Sequence, residues 1–494
     1  MTPRKQITAQ RRAKQAAKKL SGGRKGSAKK SSVAKSTSPI VDVSRGSKPS
    51  LLFEPRLVQI EKPVYGGAFL ARLEGKAVFV PLTLPGEQAR VRMTQSKSGY
   101  ATAELEAILR ASPERIQPPC PHFGACGGCH YQHTNYASQL AFKQAILRET
   151  LLRGGVPAPE EITVLSGEQW GYRNRIRLAL DAAGNPGYRG RRSHAVVPLR
   201  ECPVAAPLLV EASLAYAEVA RQFAPALRPT ELSLFCNPNE TALLATVFTE
   251  GLLKMRFDDF AQALQDRIPA LIGAELVVEG RPGDQPHTLA QQGASSLDYC
   301  VAGFDYRVDH GAFFQVNRCL VDALVERVIT GHKGKLAWDL FAGVGLFARQ
   351  LASHFERVVA VESAPASTQA LAANLQGSSG VAVKDETLNF LRSQAIRRAN
   401  GEPAPDLIVL DPPRAGLGAE TCALLCEIAS PAIVCVSCDP ATLARDLRAL
   451  VSSGYQIHAI TLADLFPQTF HLETVVQLRR TREIQRNMNA NSLL

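Results

Sequence analysis

The sequence has no apolar run long enough for a membrane-spanning helix. Its uninterrupted apolar stretches stay well below the ~20 residues that cross a bilayer. It also shows no secretory signal pattern and no repeat at the spacing of solenoid proteins. We therefore expect a cytoplasmic protein with no membrane partner and, from its 494 residues, two to four domains.

The cysteine content does not suit a disulfide framework. The chain has 11 cysteines, an odd number, and no secretory signal pattern accompanies them. The cysteines are therefore candidates for metal binding or for catalysis.

Acidic residues are almost missing from the first 50 residues. This segment contains 14 Lys and Arg against the single acid Asp42, whereas residues 51–494 contain 43 basic and 44 acidic residues. The tail has little to bury, so we expect it to be disordered when free. A basic tail suits the phosphate backbone of nucleic acids. A solubilising tail is an alternative, and a mitochondrial transit peptide is a weaker one because Lys outnumbers Arg by 9 to 5.

The rest of the chain changes character twice. Residues 58–109 contain short β-branched runs separated by Gly-containing turns, which is typical of a small β-barrel. The chain then becomes rich in Cys, Gly and Pro, and strand-like segments continue to about residue 305. In the remainder, strand-like runs alternate with helical stretches. This alternation predicts a parallel doubly wound sheet with its site at the carboxyl ends of the strands.

A glycine turn follows the first strand of this alternating region, in "DLFAGVGLF". Gly343 and Gly345 permit a tight turn whose backbone approaches a ligand closely. Glu362 ends the next strand, where a carboxylate can accept hydrogen bonds from ribose hydroxyls. With only two glycines, and Asp339 before the turn, the pattern favours a nucleoside cofactor such as S-adenosylmethionine over a dinucleotide. A turn that only packs a helix is the alternative.

Three cysteines lie close together in "CPHFGACGGC". Cys120, Cys126 and Cys129 need a fourth ligand to complete a thiolate site, and Cys202 in "LRECPV" is the best candidate. All-thiolate sites suit zinc or an iron–sulfur cluster, and the spacing does not separate these two.

Two further cysteines occur in "IVCVSCDPATLARDL". Because residues alternate along a strand, Cys435 should pack in the core with Ile433, and Cys438 should lie at the strand's end. Asp439 then caps a helix, whose dipole should favour the thiolate of Cys438. Position alone does not decide between a nucleophile and a bystander.

The neighbours of Cys438 favour the catalytic role. "LDPPRAG" places Asp411 and Arg414 at the same predicted sheet edge, and "FPQTFHLETV" supplies Glu473. A nucleophile, a carboxylate able to act as a base and a cofactor pocket on one edge make a reaction possible.

These stretches together resemble the RNA uracil-5-methyltransferase family, whose members make 5-methyluridine in ribosomal and transfer RNA. The resemblance covers roughly residues 55 to 480. Its most specific motifs are "CPHFGACGGCHYQH", "FFQVN", "DLFAGVGLFARQLA", "LDPPRAGL", "SCDPATLARDL" and "FPQTFHLE", in the family's order.

The disordered basic tail (1–50) lies outside the resemblance. For the rest of the chain the resemblance implies an α/β protein of three regions: an OB-like TRAM β-barrel that binds RNA (51–112), a central β-rich iron–sulfur domain (113–310) and a Rossmann-like class I methyltransferase domain (311–494). It implies a monomer that uses S-adenosyl-L-methionine and carries a [4Fe-4S] cluster on Cys120, Cys126, Cys129 and Cys202. The resemblance also implies which residues contact the cofactor or line the pocket. They are Gln315, Phe341, Gly343, Glu362 and Asp411, and, with a looser match, Asp385.

The chemistry that the resemblance implies begins with Cys438. Its thiolate adds to carbon 6 of uracil and turns carbon 5 into a nucleophile able to accept a methyl group. Glu473 then removes the proton from carbon 5. The target base must leave its stack, and Phe313 is a candidate to stack on it, with ordinary core packing as the alternative.

The sequence departs from the family at two places. Asp439 stands where Asn is frequent, and its charge should mildly disfavour a neighbouring thiolate. Ala342 and Leu346 stand in the glycine turn where members often carry Cys and a polar residue, so a side-chain hydrogen bond to the cofactor is expected to be missing.

We expect the substrate to be a uridine of 23S ribosomal RNA, because the combination of a cluster and a TRAM domain resembles the ribosomal branch of the family. The alternative is the T-loop uridine of transfer RNA. A hypothesis of another class is a catalytically silent RNA-binding or ribosome-assembly factor, against which the presence of both Cys438 and Glu473 argues.

Overall fold

The computed structural model describes residues 54–157, 159–250, 257–278 and 287–481. The predicted basic tail lies outside the described residues. The described chain begins with five strands: β1 (Pro55–Val64), β2 (Ala68–Leu73), β3 (Lys76–Pro81), β4 (Gln88–Ser96) and β5 (Tyr100–Arg110). They close into a barrel in the order β1-β2-β3-β5-β4, with β1 antiparallel to β4.

Alternating burial explains why these short strands close on themselves. In β4, Ala89, Val91 and Met93 are buried while the residues between them are exposed. Because successive side chains point to opposite faces, one face of the strand lines the barrel core and the other faces out.

The chain continues through an extended cysteine-containing segment into α1 (Tyr136–Arg153) and β6 (Thr163–Leu165). A seven-stranded sheet follows, with two helices that pack against it. Its elements are β7 (Arg175–Leu180), β8 (Pro186–Arg189), β9 (Val196–Pro198), α2 (Pro207–Leu227), β10 (Pro229–Cys236), β11 (Leu243–Thr249), α3 (Phe257–Arg267), β12 (Leu271–Val278) and β13 (His287–Gly293).

A hairpin of β14 (Ser296–Val301) and β15 (Phe304–Asp309) leads into the C-terminal α/β region. The elements of that region are α4 (Val321–Ile329), β16 (Gly334–Leu340), α5 (Leu346–Leu351), β17 (Phe355–Glu362), α6 (Pro365–Asn374), β18 (Gly380–Lys384), α7 (Thr387–Ala399), β19 (Leu407–Leu410), α8 (Ala419–Ile428), β20 (Ala432–Ser437), α9 (Pro440–Ser452), β21 (Tyr455–Ala463) and β22 (Glu473–Arg480).

The C-terminal sheet has the strand order β18-β17-β16-β19-β20-β22-β21-β6. The order reverses between β16 and β19, and ligands of open α/β sheets bind at such a switch point, beyond the carboxyl ends of the strands. The predicted parallel doubly wound sheet has one departure among the described strands, since β22 runs antiparallel to both β20 and β21. A short loop after β21 turns the chain straight back, so the amino end of β22 meets the carboxyl ends of the parallel strands.

A segment from before the seven-stranded sheet joins this C-terminal sheet. β6 extends the edge by pairing in parallel with β21, and α1 buries Ile146, Leu147 and Leu151 in the same core as α9. The domain limits stay predictions, but residues 136–165 pack with the C-terminal region rather than with the central sheet.

Apolar faces on both sides of the C-terminal sheet explain its burial. Val434 and Val436 of β20 belong to one core cluster, whereas Ile433 and Cys435 belong to the other. Helices cover both faces, as expected for a doubly wound sheet. No helix in the described part of the chain is long and apolar enough to cross a membrane.

Candidate active site

A cavity of about 580 Å³ lies at the carboxyl edge of the C-terminal sheet, at the switch point between β16 and β19. Strand ends and the loops that follow them supply its walls. It is lined by seven of the residues that the sequence predicts for the site: Gln315, Phe341, Gly343, Glu362, Asp411, Cys438 and Glu473. Residues separated by more than 150 positions in the chain therefore share one cavity.

The glycine turn after β16 has an unusual backbone. Phe341 has φ 63°, Gly343 φ 57° and Gly345 φ 90°. A bulky residue such as Phe341 rarely adopts positive φ, and such strain is concentrated at ligand sites. The strand β16 ends at Leu340, and the turn begins there.

Glu362 organises this turn from the end of β17. Its Oε2 accepts a hydrogen bond of 2.9 Å from the Gly343 N–H. Its Oε1 accepts from the N–H groups of Ser363 at 2.8 Å and Ala364 at 2.6 Å. The carboxylate is thus held at the cavity wall by three backbone donors.

Asp339 and Asp385 are two predicted acidic residues that do not line the cavity. Asp339 is fully buried, its Oδ2 accepts from the Ala348 N–H at 2.8 Å, and burial raises its pKa to about 8. It supports the turn from beneath. Asp385 follows β18 at the same sheet edge, where its Oδ1 accepts from the Glu386 N–H, but it is not among the residues that line the cavity.

Gln315 and Asp411 face the cavity as a pair. The Gln315 Nε2 donates to Asp411 Oδ2 at 3.3 Å. The backbone carbonyl of Gln315 accepts from the Asn174 Nδ2 at 2.9 Å, which ties this segment to the central sheet. Burial raises the pKa of Asp411 to about 7.

The two cysteines of β20 separate as the strand alternation predicts. Cys435 is buried in the same core cluster as Ile433, so that prediction is confirmed. Cys438 lies just beyond the strand and lines the cavity. Asp439 caps α9, and its Oδ1 accepts from the N–H groups of Ala441 and Thr442, as expected.

The expected stabilisation of the Cys438 thiolate is not observed. Burial, followed by the negative charges of Glu473 and Asp411, raises the pKa of the Cys438 thiol to about 11, although Arg414 acts in the opposite direction. The helix dipole acts only over about a turn and is worth less than burial beside two carboxylates. Only a small fraction of Cys438 is therefore thiolate at neutral pH, and this fraction grows as the pH rises.

Glu473 is the first residue of β22 and is buried, with 5% of its surface exposed. Its Oε1 has no hydrogen-bond partner within the described residues. Burial and the charge of Asp411 raise its pKa well above the usual range, and Arg414 opposes this rise. An unpartnered buried carboxyl oxygen beside a cavity is suited to proton transfer.

His471 and Phe466 are among the cavity residues that were not singled out from the sequence. His471 lines the cavity and its Nδ1 lies 2.9 Å from the Arg414 guanidinium. Burial and the Arg414 charge lower the pKa of His471 to about 4, so it is neutral at pH 7. Phe466 also lines the cavity and its ring contacts His471. Both lie in the quoted stretch "FPQTFHLE", which was the available signal.

Phe313 lines the mouth of the cavity with 64% of its surface exposed. The alternative of ordinary core packing does not apply to it. The neighbouring Phe314 is the buried residue, and its ring packs on Tyr299. An exposed ring at a cavity mouth is available for stacking.

The loop before Glu473 is held by residues from far away in the chain. Lys143 of α1 forms a fully buried ion pair with Asp464 at 2.5 Å and also donates to the Phe466 carbonyl. The side chains of Gln139 and Gln468 are hydrogen-bonded at 2.9 Å. The helix after the cysteine segment thus positions the loop that leads to Glu473.

The four predicted metal ligands share a separate small cavity. Cys120, Cys126, Cys129 and Cys202 line it together with Arg173, and the Gly128 N–H donates to Cys126 Sγ at 3.3 Å. Among the described residues, no three His, Cys, Asp or Glu side chains form a group that could hold a single metal ion. The structure therefore shows the four thiols only as lining residues of one cavity.

Comparison with sequence families gives two matches. The family described as tRNA (Uracil-5-)-methyltransferase matches residues 244–481, and the TRAM domain matches residues 49–105. The second match contains most of the closed five-stranded barrel.

Similar proteins cover most of the chain. A 23S rRNA (uracil(1939)-C(5))-methyltransferase RlmD of Halomonas elongata is 32% identical over 449 residues, which are 88% of this chain and 92% of that protein. The protein of the same name from Shewanella amazonensis is 32% identical, over 84% of this chain and 94% of its own. An uncharacterized RNA methyltransferase of Streptomyces avermitilis is 33% identical, over 85% and 97%.

One solved structure shares the fold. It is the Pyrococcus abyssi tRNA (uracil-54, C5)-methyltransferase in complex with S-adenosyl-L-homocysteine. Its TM-score is 0.68 at 24% identity, and the match covers 86% of this chain and 100% of that one.

Proposed function

Because the chain belongs to the RNA uracil-5-methyltransferase family and is an enzyme of that class, we propose that it methylates carbon 5 of a uridine in 23S ribosomal RNA. The observation that carries the proposed chemistry is the presence of Cys438 and Glu473 in one cavity with the glycine turn and Glu362. The relatives named for 23S rRNA support the choice of RNA.

S-adenosyl-L-methionine fits the part of the cavity around the glycine turn. Glu362 is held where its remaining lone pairs can accept hydrogen bonds from ribose hydroxyls. The strained backbone at Phe341 leads into Gly343. Because Gly343 has no side chain, a ligand can approach the backbone there. Ala342 and Leu346 line this wall with hydrocarbon, in keeping with the expected loss of a polar contact. Asp385 stays a prediction for the adenine side.

The uracil fits the other part of the cavity, beside Cys438. Gln315 and Asp411 offer an amide and a carboxyl group to the donor and acceptor edge of the base. With its pKa near 7, Asp411 can be protonated or ionised when it meets the uracil carbonyl and N–H groups. Phe313 at the mouth can stack on the base once it has left the RNA helix.

The reaction starts with covalent addition. Cys438 first loses its thiol proton to solvent. The resulting thiolate forms a bond to carbon 6 of the uracil, and the electron pair of the 5,6 double bond moves to give an enolate with nucleophilic carbon 5. Bound S-adenosyl-L-methionine supplies an electrophilic methyl group. Gln315 and Asp411 hold the ring so that carbon 5 faces that methyl group, and the apolar walls keep water out.

Glu473 completes the reaction. Its carboxylate takes the proton that remains on carbon 5, the electron pair of that C–H bond restores the 5,6 double bond, and the bond from carbon 6 to sulfur breaks. Cys438 leaves as a thiolate. The unpartnered Oε1 of Glu473 supports this role.

We assign a [4Fe-4S] cluster to the cavity of four cysteines, because an all-thiolate donor set lining one cavity suits such a cluster. Zinc is the alternative that the same donor set allows. The Arg173 guanidinium can offset the thiolate charge. Anaerobically purified protein should contain roughly four iron atoms per chain and absorb visible light. Stoichiometric zinc without visible absorbance would overturn this assignment.

The remaining predictions concern regions and assembly. We assign RNA binding to the barrel within residues 51–112, support of the cluster to residues 113–310 and catalysis to residues 311–494. A monomer in the cytoplasm stays our prediction. The expected disordered tail of residues 1–50 is a further candidate for RNA contact.

The test of the substrate is mass-spectrometric mapping of 5-methyluridine in 23S rRNA and in tRNA from cells with and without the gene. Loss of one 23S rRNA modification in the deletion strain supports the proposal. Loss of the T-loop modification of tRNA instead would assign the alternative substrate. If 5-methyluridine is unchanged in both RNAs while the protein still binds RNA, the silent binding factor is the better account.

A further inference from the structure

A cavity of about 450 Å³ lies between the barrel, the cysteine segment and the turn after β8. Its walls include Gly66 of the barrel, Gly127 and Gly128, and the chain from Tyr188 to Arg192. We name it the arginine groove. It shares no lining residue with the active-site cavity among the described residues, and its volume is within the range of ligand sites.

Three arginines in the stretch "YRGRR" line the groove. Arg189 has an acidic partner, Glu231, at 3.1 Å. Within the described residues, neither Arg191 nor Arg192 forms an ion pair with a carboxylate. Arg191 is half-buried beside the Arg192 cation. The groove therefore contains two arginines that form no ion pair within the described residues, and the Glu104 carboxylate acts on Arg191 only from beyond ion-pair distance.

The turn that carries these two arginines is fixed to the cysteine segment. The Arg191 N–H donates to the Ala125 carbonyl at 3.0 Å, and the Gly127 N–H donates to the Arg189 carbonyl at 3.0 Å. Arg192 is held at φ 52°, a strained value for a residue other than glycine. Because the backbone of this turn is already fixed, it loses little conformational entropy when the side chains bind an anion.

Only a thin wall separates the arginine groove from the active-site cavity. Phe470 contacts both His130, at a ring distance of 4.7 Å, and Tyr65, at 5.5 Å. His130 lines the groove. On the other side of the wall, the Tyr65 hydroxyl lies 3.4 Å from the Cys438 carbonyl oxygen, and the Phe470 ring contacts His471. The groove is therefore close to the position of Cys438, where the proposed uridine binds.

We propose that the arginine groove binds a backbone phosphate of the substrate RNA next to the target uridine, with Arg191 and Arg192 as its ligands. This inference rests on the proposed RNA methylation. Residues 51–494 carry 43 basic and 44 acidic residues, so attraction of RNA to this part of the chain depends on local groups of cations rather than on its net charge. Guanidinium groups match phosphate oxygens in geometry, and glycine walls leave room for the strand.

The test uses the full-length chain and a synthetic RNA that the wild type methylates. In the variant Arg191→Gln/Arg192→Gln, the slope of log binding constant against log salt should become shallower by about 1.4, or about 0.7 for each lost contact. The ratio of the wild-type binding constant to that of the variant should therefore fall about sevenfold between about 50 mM and about 200 mM salt. Arg191→Lys/Arg192→Lys should retain most of the slope.

The matched control is Arg327→Gln/Arg357→Gln. Arg327 lies in α4, Arg357 lies near the amino end of β17, and both are exposed. Their replacement removes the same charge as the groove variant does, but far from the groove. Its salt slope should equal that of the wild type. Equal changes in the two double variants would mean that net charge, and not the groove, explains the effect.

A second arm distinguishes an RNA phosphate from any other anion. Neutral methylphosphonate linkages are placed one at a time near the uridine. One position should weaken wild-type binding and leave the Arg191→Gln/Arg192→Gln variant unaffected. If every position weakens both proteins equally, or if the variant keeps the wild-type slope, the groove does not bind RNA phosphate. If the wild type methylates no RNA, the proposed function itself fails.

Discussion

The ammonium group of Lys143 lies 2.5 Å from Oδ1 of Asp464, and both side chains are fully buried. The two residues are 321 positions apart in the chain. They join the helix after the cysteine segment to the loop that leads into Glu473. The position of the proposed base thus depends on a region outside the C-terminal sheet.

Breaking this ion pair should destabilise the protein strongly. Lys143→Ala leaves the Asp464 charge buried without its partner and should lower the free energy of unfolding by about 3–5 kcal/mol. The partly exposed pair Lys62 and Glu149 is the control, and Lys62→Ala should cost about 0–1 kcal/mol. Urea unfolding measures both. Equal losses of unfolding free energy in the two variants would show that the buried ion pair stabilises the protein no more than the control pair does.

Glu362 should determine cofactor affinity. Glu362→Gln leaves one acceptor oxygen for three backbone donors and places an NH₂ group against the others. Affinity for S-adenosyl-L-homocysteine should fall about tenfold to a hundredfold, as expected for hydrogen bonds to a charged group. Calorimetry measures this fall. Glu356→Gln, at an exposed position of the same strand, is the control and should bind as the wild type does.

The rate of methyl transfer should rise with pH. Because the pKa of the Cys438 thiol is raised to about 11, its thiolate fraction in the free enzyme grows about tenfold per pH unit below that value. Arg414 acts to lower the pKa of both Cys438 and Glu473. Arg414→Gln should therefore move the profile of kcat/KM to higher pH.

Profiles of kcat/KM from about pH 6 to about pH 9 check this. Arg392→Gln, which removes an exposed arginine paired with Glu420, should leave the profile in place. A profile for Arg414→Gln that moves to lower pH contradicts the proposed electrostatics.

Replacement of the two cysteines of β20 should separate packing from chemistry. Cys438→Ala should abolish methyl transfer while RNA binding and thermal stability persist. Cys435→Ala should lower stability by about 1 kcal/mol through the lost sulfur contacts and keep the activity. Activity assays and melting curves distinguish them. The reverse pattern would mean that the strand alternation has been assigned to the wrong residue.

Sequence reasoning succeeded where local rules decide. Alternation in β20 separated Cys435 from Cys438, and the preference for Asp at helix starts placed Asp439 as the cap. It failed where tertiary contacts decide. The reversed direction of β22, the addition of β6 and the raised pKa of Cys438 all depend on neighbours that are distant in the chain.

The most direct measurement of the account is the mass of the Glu473→Gln protein after incubation with substrate RNA and S-adenosyl-L-methionine. Without its base, the enzyme should retain a covalent adduct of methylated RNA, and digestion should map the adduct to Cys438. The variant Cys438→Ala/Glu473→Gln should form none. A Glu473→Gln protein that releases methylated RNA without an adduct, or an adduct on another cysteine, would contradict the mechanism.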